Sequence, residues 1–263
     1  MSGQRVAVVT GAARGMGAAT VREFVGRGYA VVAVDSVADD PALPYAMSTP
    51  AELDAVASAS ADVVAHVADV RDVAGLAAAV ALAEERFGRL DVAVAGAGVI
   101  AGGVPLWELP AEAERAVLDI DLGGVVNLAR VAIPALLRAP APRSGRFIAI
   151  ASAAATRGLP MLAAYCAAKS GVAGLIRALG TELRGGEVTA NAVSPGSTDT
   201  PILAESARLY GLPGAETFAH QQPLDRLLHP EEVARVIAFL ASEESSAMTG
   251  AVVPVDGGLG MGH

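Results

Sequence analysis

Three residues in the second half of the chain carry side chains able to move a proton together: Ser152, Tyr165 and Lys169. Tyr165 and Lys169 stand four apart in YCAAK, and on a helix that spacing puts them on one face. A phenol with a pKa near about 10 is a poor base at neutral pH. An ammonium beside it favours the phenolate and moves its titration towards the working range. Lys169 is the only lysine among 19 basic residues. Chance must place one lysine somewhere. The functional reading is that a compact, flexible donor is kept for sugar hydroxyls, where a planar guanidinium would fill the space differently. Ser152 lies 13 residues before Tyr165, and its hydroxyl can hold the carbonyl or alcohol oxygen that exchanges a proton with the phenol. A Tyr-x-x-x-Lys spacing alone is common; it gains meaning from what surrounds it.

A second constellation sits at the N-terminal end. The stretch TGAARGMG, Thr10 to Gly17, follows an apolar run and opens a helical one. Gly11, Gly15 and Gly17 permit a tight turn and let backbone N–H groups approach a pyrophosphate. An acid, Asp35, follows 18 residues beyond Gly17. At the tip of a second strand it can accept bonds from the adenosine ribose and repel a 2′-phosphate. The alternative is a structural strand–helix turn with an ordinary loop aspartate. Arg14 is a cation able to greet a phosphate, but Ser36 adds no second one, so the reading is NAD rather than NADP.

These groups need a scaffold, and short apolar runs supply it. Strands are expected at Arg5–Thr10, Ala30–Val34, Val63–Val67, Asp91–Ala95, Arg146–Ala151, Val188–Val193 and Val252–Val255. Helices are expected at Gly15–Arg27, Pro50–Ser60, Val73–Phe87, Glu112–Leu137, Ala163–Arg184 and Pro230–Ala241. The long fourth helix should stop near Arg138, because Pro140 and Pro142 cannot extend it, and Pro134 should already disturb its last turns. Such alternation implies right-handed crossovers and one doubly wound (Rossmann) α/β parallel sheet of about seven strands in a single domain spanning residues 1–263. Its carboxyl edge is where Ser152, just past the fifth strand, should meet the nicotinamide end of a dinucleotide.

Composition narrows the function. The chain has 263 residues, 53% hydrophobic, with a net charge of −9 and no basic run, which argues against nucleic acid. No stretch is expected to span a membrane. The N-terminus enters a strand rather than a signal-peptide core, and the single cysteine, Cys166, fits a reducing cytoplasm. Beside Tyr165, Cys166 reads as a small core residue. His66, His220, His229 and His263 are scattered without metal-ligand spacing, so no metal is expected.

Taken together, these motifs resemble the short-chain dehydrogenase/reductase family over nearly the whole chain. TGAARGMG is similar to its TGxxxGxG cofactor turn, and Asp69-Val70 to its adenine-contacting acid after the third strand. Ser152, Tyr165 and Lys169 match its catalytic serine, tyrosine and lysine. NAVSPGSTDTP, Asn191–Pro201, resembles its NxVxPGxxxTP stretch, and TGAVVPVDGG, Thr249–Gly258, its last strand and turn. The resemblance implies hydride transfer between nicotinamide and a carbinol or carbonyl carbon. It implies a cofactor site of Gly11, Arg14, Gly15, Met16, Gly17, Asp35, Asp69, Val70, Ala97, Gly98, Pro195, Gly196, Thr198 and Thr200, with Tyr165 and Lys169 at the nicotinamide ribose. It also implies a homotetramer built on the two long helices.

Two positions depart from that pattern. AGAG, Ala95–Gly98, puts Gly96 where the family has an asparagine bracing the sheet edge. IDLGG, Ile120–Gly124, puts Asp121 at the family's catalytic asparagine. A carboxylate only accepts and brings charge, so Asp121 either pairs with Lys169 through water or raises the cost of a nearby tyrosinate. Asn127, six residues on, cannot take the same place.

Between the second strand and next helix, Ser36–Thr49 is a run of 14 residues without a helix or strand signal. Runs this long are uncommon in compact domains, and its place beside Asp35 reads as a lid over the adenosine or as a mobile surface insertion. PYAMSTPAELDAV, Pro44–Val56, with ADVRD, Ala68–Asp72, resembles an insertion in the mycofactocin-associated, carveol-dehydrogenase-like subgroup. That resemblance implies NAD held without exchange and reoxidised by a redox peptide. The segment Ile202–Leu228 should cap the substrate. Its Leu203, Leu209, Tyr210, Leu212 and Phe218 suggest an apolar secondary alcohol or ketone, or else they pack the cap itself. The competing reading from another class is a dinucleotide-binding regulatory or scaffold protein with impaired chemistry, kept open by Asp121.

Overall fold

Seven short, Val- and Ala-rich strands lie side by side in one wholly parallel sheet: β1 Val6–Thr10, β2 Ala30–Asp35, β3 Val63–Val67, β4 Val92–Ala95, β5 Gly145–Ile150, β6 Val188–Pro195 and β7 Val252–Val255. Their order is β3-β2-β1-β4-β5-β6-β7. The computed structural model describes residues 4–140, 143–185 and 187–261; Ala141, Pro142 and His263 lie outside them. The strands β1 and β5 are buried at every position, because helices cover both faces of the sheet. One layer of core is built on Val6, Val8, Val32, Leu76, Leu128 and Phe147, the other on Val9, Phe24, Val31, Ile148 and Ile237. The chain reverses its winding between β1 and β4, and a crevice opens there at the carboxyl ends of the strands.

Among the described residues eight α-helices supply the layers: α1 Gly15–Gly26, α2 Pro50–Ser58, α3 Val73–Phe87, α4 Ala111–Leu118, α5 Gly124–Arg138, α6 Ala163–Glu182, α7 Pro201–Leu209 and α8 Pro230–Ala241. Local chemistry sets several boundaries. Thr49 and Glu52 close a capping box on α2 with Pro50 in its first turn. Asp72 caps α3 at its start, and Gly88 ends it at φ 84.

The expected single helix Glu112–Leu137 is broken. A π-turn at Asp119–Gly123 separates α4 from α5 and carries Asp121. Hydrophobic periodicity continues through the break, so the pattern alone hid it; such turns often mark functional positions. The helix passes Pro134 and runs to Arg138. The whole Ala111–Arg138 segment is also apolar and long enough to cross a membrane by composition, contrary to expectation. Here it packs on the sheet, with Val117, Leu128, Ala132 and Leu136 fully buried.

The run Ser36–Thr49 contains no helix or strand, yet it is tied down. Leu43, Asp40 and Ser48 are buried, and several of its polar groups reach distant parts of the chain.

Candidate active site

The crevice is built first by glycine. Gly11 and Gly15 take left-handed backbone at φ 69 and 57. A Cβ on Gly17 would lie 2.0 Å from the Gly11 carbonyl oxygen, and one on Gly11 would lie 2.7 Å from the Ala97 backbone. Only glycine lets β1 turn into α1 this closely against the end of β4. The resulting cleft is lined by Gly11, Arg14, Gly15, Met16, Gly17, Asp35, Asp69, Val70, Ala97, Gly98 and Thr200, eleven positions expected to hold a cofactor. Pro195, Gly196 and Thr198 do not line it. Pro195 ends β6, and Gly196 and Thr198 lie in the turn beyond it, where the Thr198 hydroxyl donates to the Gly196 carbonyl at 3.1 Å and Gln222 Oε1 accepts from Ser197 N–H at 2.9 Å. This turn delivers Thr200, which caps α7 by accepting from Leu203 N–H at 3.3 Å and faces Gly15 across the cleft.

Asp35 stands at the tip of β2. Its Oδ2 accepts from Ala13 N–H at 3.0 Å, and its Oδ1 accepts from the Ser48 hydroxyl of the insertion. No cation pairs with it among the described residues. Arg14, which also lines the cleft, donates to the Ala46 carbonyl at 3.2 Å. A carboxylate without an ion-paired guanidinium fits two free ribose hydroxyls and opposes a 2′-phosphate. The glycine cradle, this acid and the open cleft therefore fit a dinucleotide of the NAD type.

Next along the cleft, Asp69 is gripped by Arg71 through Nε and Nη2, the latter at 2.6 Å, and Arg71 Nη1 reaches Asp40 of the insertion at 2.7 Å. Burial pushes the Asp69 carboxyl up, but the hydrogen bonds from Arg71 outweigh it and hold the group below the ordinary carboxylate range. A further anchor comes from Tyr45, whose hydroxyl accepts from Ile100 N–H at 2.9 Å. Burial holds this phenol well above its usual range. Ser48, Tyr45, Asp40 and Arg71 were not singled out from the sequence. Their contacts span 13 to 55 residues and leave no local pattern, although Arg71 lies within the quoted ADVRD.

At the other end of the cleft the structure brings Ser152, Tyr165, Lys169 and Asp121 together. Ser152 follows β5 in extended backbone and accepts from Ala154 N–H at 3.1 Å. Tyr165 and Lys169 share a face of α6. Lys169 Nζ lies 5.6 Å from the Tyr165 ring centroid and donates to the Ile150 carbonyl at 3.1 Å. It also lies 3.1 Å from Asp121 Oδ2, with side chains 6% and 0% exposed. The water-bridged arrangement expected for Asp121 is thus replaced by a direct ion pair. The approach is skewed, so Oδ2 has no well-aligned hydrogen bond, while Oδ1 accepts from Val99 N–H at 2.7 Å. The π-turn aims the carboxylate inward. Gly98 makes room for it: a Cβ there would come within 3.3 Å of Asp121 Oδ2 and 3.5 Å of Lys169 Nζ. This contact joins the catalytic group to the cofactor cleft. Asn127 is elsewhere, donating to the Val70 carbonyl at 3.0 Å. Gly96 accepts no side chain without movement, since a Cβ would lie 2.8 Å from the Thr10 carbonyl oxygen.

Burial pushes the Tyr165 phenol up. Lys169 pulls it down, Asp121 pushes it up again and the nearby Ser152 hydroxyl pulls it down, and the phenol stays above its usual range. For Lys169, burial works against the charge, but Asp121 and Tyr165 outweigh it and hold the ammonium above its usual range. Asp121 is held above the ordinary carboxylate range by burial, with Lys169 and Val99 N–H opposing.

Two of the apolar cap residues, Tyr210 and Phe218, meet each other, and Tyr210 also ties the cap to a neighbouring loop. Tyr210 donates to the Pro160 carbonyl at 2.8 Å, and its ring meets buried Phe218 edge-on at 6.1 Å. Gly103 N–H donates to the Met161 carbonyl at 3.1 Å, closing a second seam. For Tyr210 and Phe218 these contacts are packing within the cap and against its neighbouring loop.

Comparison with known proteins agrees with this geometry. A family profile described as enoyl-(acyl carrier protein) reductase matches residues 11–260. The chain is 41% identical to cis-4-hydroxycyclohexanecarboxylate dehydrogenase of Sinomonas cyclohexanicum, over 97% of this chain and 96% of that one. It is 33% identical to (−)-trans-carveol dehydrogenase of Rhodococcus erythropolis, over 97% and 95%. The structure of carveol dehydrogenase from Mycobacterium avium in complex with NAD superposes with a TM-score of 0.92, at 32% identity and 98% coverage of both chains. With its cofactor turn, its serine–tyrosine–lysine group and these full-length likenesses, the chain belongs to the short-chain dehydrogenase/reductase family, an oxidoreductase family of alcohols and ketones.

Proposed function

We propose that the protein is an NAD-dependent dehydrogenase of a cyclic, largely apolar secondary alcohol, or reductase of the matching ketone. The observation that carries this is the convergence of Ser152, Tyr165 and Lys169 where Gly98 ends the cofactor cleft. Bound in that cleft, NAD would supply the hydride acceptor at its nicotinamide. The Gly11–Gly17 turn would hold the pyrophosphate, Asp35 the adenosine ribose, Asp69 and Val70 the adenine, and Thr200 the nicotinamide end. Ser152 holds the substrate oxygen. Tyr165 takes the hydroxyl proton in oxidation and returns it in reduction. Lys169 has committed one donor to Ile150 and its charge to Asp121, and its remaining protons would serve the nicotinamide ribose. The relatives named for a hydroxycyclohexanecarboxylate and for carveol support a ring-borne secondary alcohol as the substrate class.

The insertion supports a finer reading. Through Ser48, Tyr45, Asp40 and the Arg14 contact it is tied to β2, the β4 loop, Arg71 and α1. Release of NAD then requires this lid to open, and exchange becomes slower than chemistry. The bound reduced cofactor would be reoxidised in place by a mycofactocin-like redox acceptor. The protein is further proposed to work as a homotetramer assembled on the α4–α5 and α6 helices, in the reducing cytoplasm that its single thiol fits. Mass spectrometry of the small molecules released on denaturation tests cofactor identity and retention. Turnover of cyclohexanol and carveol with free NAD, and then with an artificial electron acceptor, tests the activity. Cofactor-free protein that is inert to both alcohols contradicts the proposal. Steady NADH release into solution contradicts retention alone.

A further inference from the structure

The carboxylate of Asp121 is a charge in an expensive place. It is 0% exposed, sits in a π-turn, and lies 3.1 Å from the one ammonium that faces Tyr165. A buried charge persists only when compensated, and Lys169 is its sole ionic partner among the described residues. The ammonium is shared in consequence. Whatever it gives to Asp121 is screened from the phenol on the next turn of α6.

We propose that Asp121 is a positioning residue that balances the charge of Lys169, so that Tyr165 stays proton-loaded across neutral pH and alcohol oxidation opens only in the alkaline range. This rests on the reading of Tyr165 as the proton-transferring group. The other groups around Tyr165 do not supply that balance. On its own helix the charged or ionisable neighbours are Lys169 and Cys166; from the loop after β5 comes the neutral Ser152. The helix α4, packed against α6, turns Glu112 and Arg115 to solvent and leaves Glu114 half-exposed, and Asp119 at the start of the π-turn is exposed. The strand β6 and the short turn Ala153–Ala155, also against α6, carry no ionisable side chain. Tyr45 of the insertion feels Asp121 as well and is itself held neutral by burial. Among the described residues, Asp121 is therefore the one negative group paired with Lys169 at this site.

The sign follows directly. An anion near a phenol disfavours the phenolate, so removing it lets Lys169 act unopposed and lowers the pH at which Tyr165 loses its proton. Oxidation needs the phenolate and should open at lower pH in a neutral variant; reduction needs the phenol and should fall off at lower pH. The difference should close on the acid side, where Asp121 itself takes up a proton.

The test is the pH dependence of kcat/KM for NAD-dependent cyclohexanol oxidation and cyclohexanone reduction, in wild type, Asp121→Asn and Asp121→Ser. Wild type should oxidise with a midpoint on the alkaline side of neutrality, because burial and Asp121 hold the phenol up. Both neutral variants should move that midpoint down by about one unit, and the reduction limb with it. A purely structural role would lower kcat or the melting temperature in these variants without moving the midpoint. Near-ultraviolet titration of tyrosinate, taken as the difference from Tyr165→Phe in each background, should show the same shift without any turnover. Inactivity of wild type on both probes would count against the proposed function, while the spectroscopic shift would still decide the role of Asp121. A wild-type midpoint at or below neutral pH, or unshifted midpoints and unshifted tyrosinate titration in both variants, overturns the proposal.

Discussion

The two ends of the cofactor cleft are held by opposite kinds of electrostatics. At the proposed adenosine end solvent reaches the charges through Arg71, which is 39% exposed as it bridges half-buried Asp69 and buried Asp40, and Asp35 is half-buried beneath the insertion. At the catalytic end, Lys169 and Asp121 are 6% and 0% exposed. Solvent screens the exposed side of the first set, so its ion pairs contribute little each. Nothing screens the second set, so each charge there moves the protonation of its neighbours. Changes at the adenosine end should therefore alter which cofactor binds and how long it stays. Changes at the catalytic end should alter turnover and its pH dependence.

The largest effect tests that division at the catalytic end. Tyr165→Phe removes the only phenol within the Ser152–Lys169 group and should cut kcat by about a hundredfold to ten-thousandfold, with NAD binding by calorimetry nearly unchanged. Residual activity above about a tenth of wild type would move the proton transfer to another group. Lys169→Arg keeps the charge but cannot hold Ile150, Asp121 and a ribose in the space of an ammonium. It should cost about a hundredfold in turnover, as misplacement of a catalytic group does. Wild-type turnover by this variant would refute the special role of the only lysine.

Smaller effects belong to the other end. Deleting Asp39–Pro44 removes the Asp40–Arg71 and Asp39–Met47 contacts. It should speed NAD release about tenfold, as expected for losing hydrogen bonds of about 1 kcal/mol each net, while single-turnover hydride transfer is little changed. A parallel fall in the chemical step would erase the distinction between the two ends. The smallest change is in preference. Asp35→Ala should weaken NAD and improve NADP binding, shifting their ratio by about tenfold, equivalent to about 1.4 kcal/mol. Equal binding of both cofactors by wild type would mean that Arg14 rather than Asp35 sets the choice.

How legible each end was follows from the same contrast. The strands, the glycine turn and the Tyr165–Lys169 face are local patterns of period, turn chemistry and spacing, and they were readable from the sequence. The π-turn at Asp119–Gly123 was hidden because the apolar stripe runs on through it from Val117 to Val125. The helix α7 was passed over although Thr200-Pro201 carries an N-cap and first-turn proline. The anchoring of the insertion was illegible for a different reason: Ser48 to Asp35, Tyr45 to Ile100 and Asp40 to Arg71 are pairings made only when the sheet assembles.

The account rests on hydride passing from a substrate carbon to nicotinamide under the control of Tyr165. Its most direct test is a single turnover of NAD-loaded protein with cyclohexanol, unlabelled or deuterated at the carbinol carbon, followed by nicotinamide absorbance and mass spectrometry of the released cofactor. The expected result is reduced nicotinamide at up to one per site, slower with the deuterated alcohol, carrying the deuterium, and absent on the same timescale in Tyr165→Phe. Stably bound NAD that stays oxidised and unlabelled with this alcohol and with carveol would contradict it, and would favour a dinucleotide-binding scaffold instead.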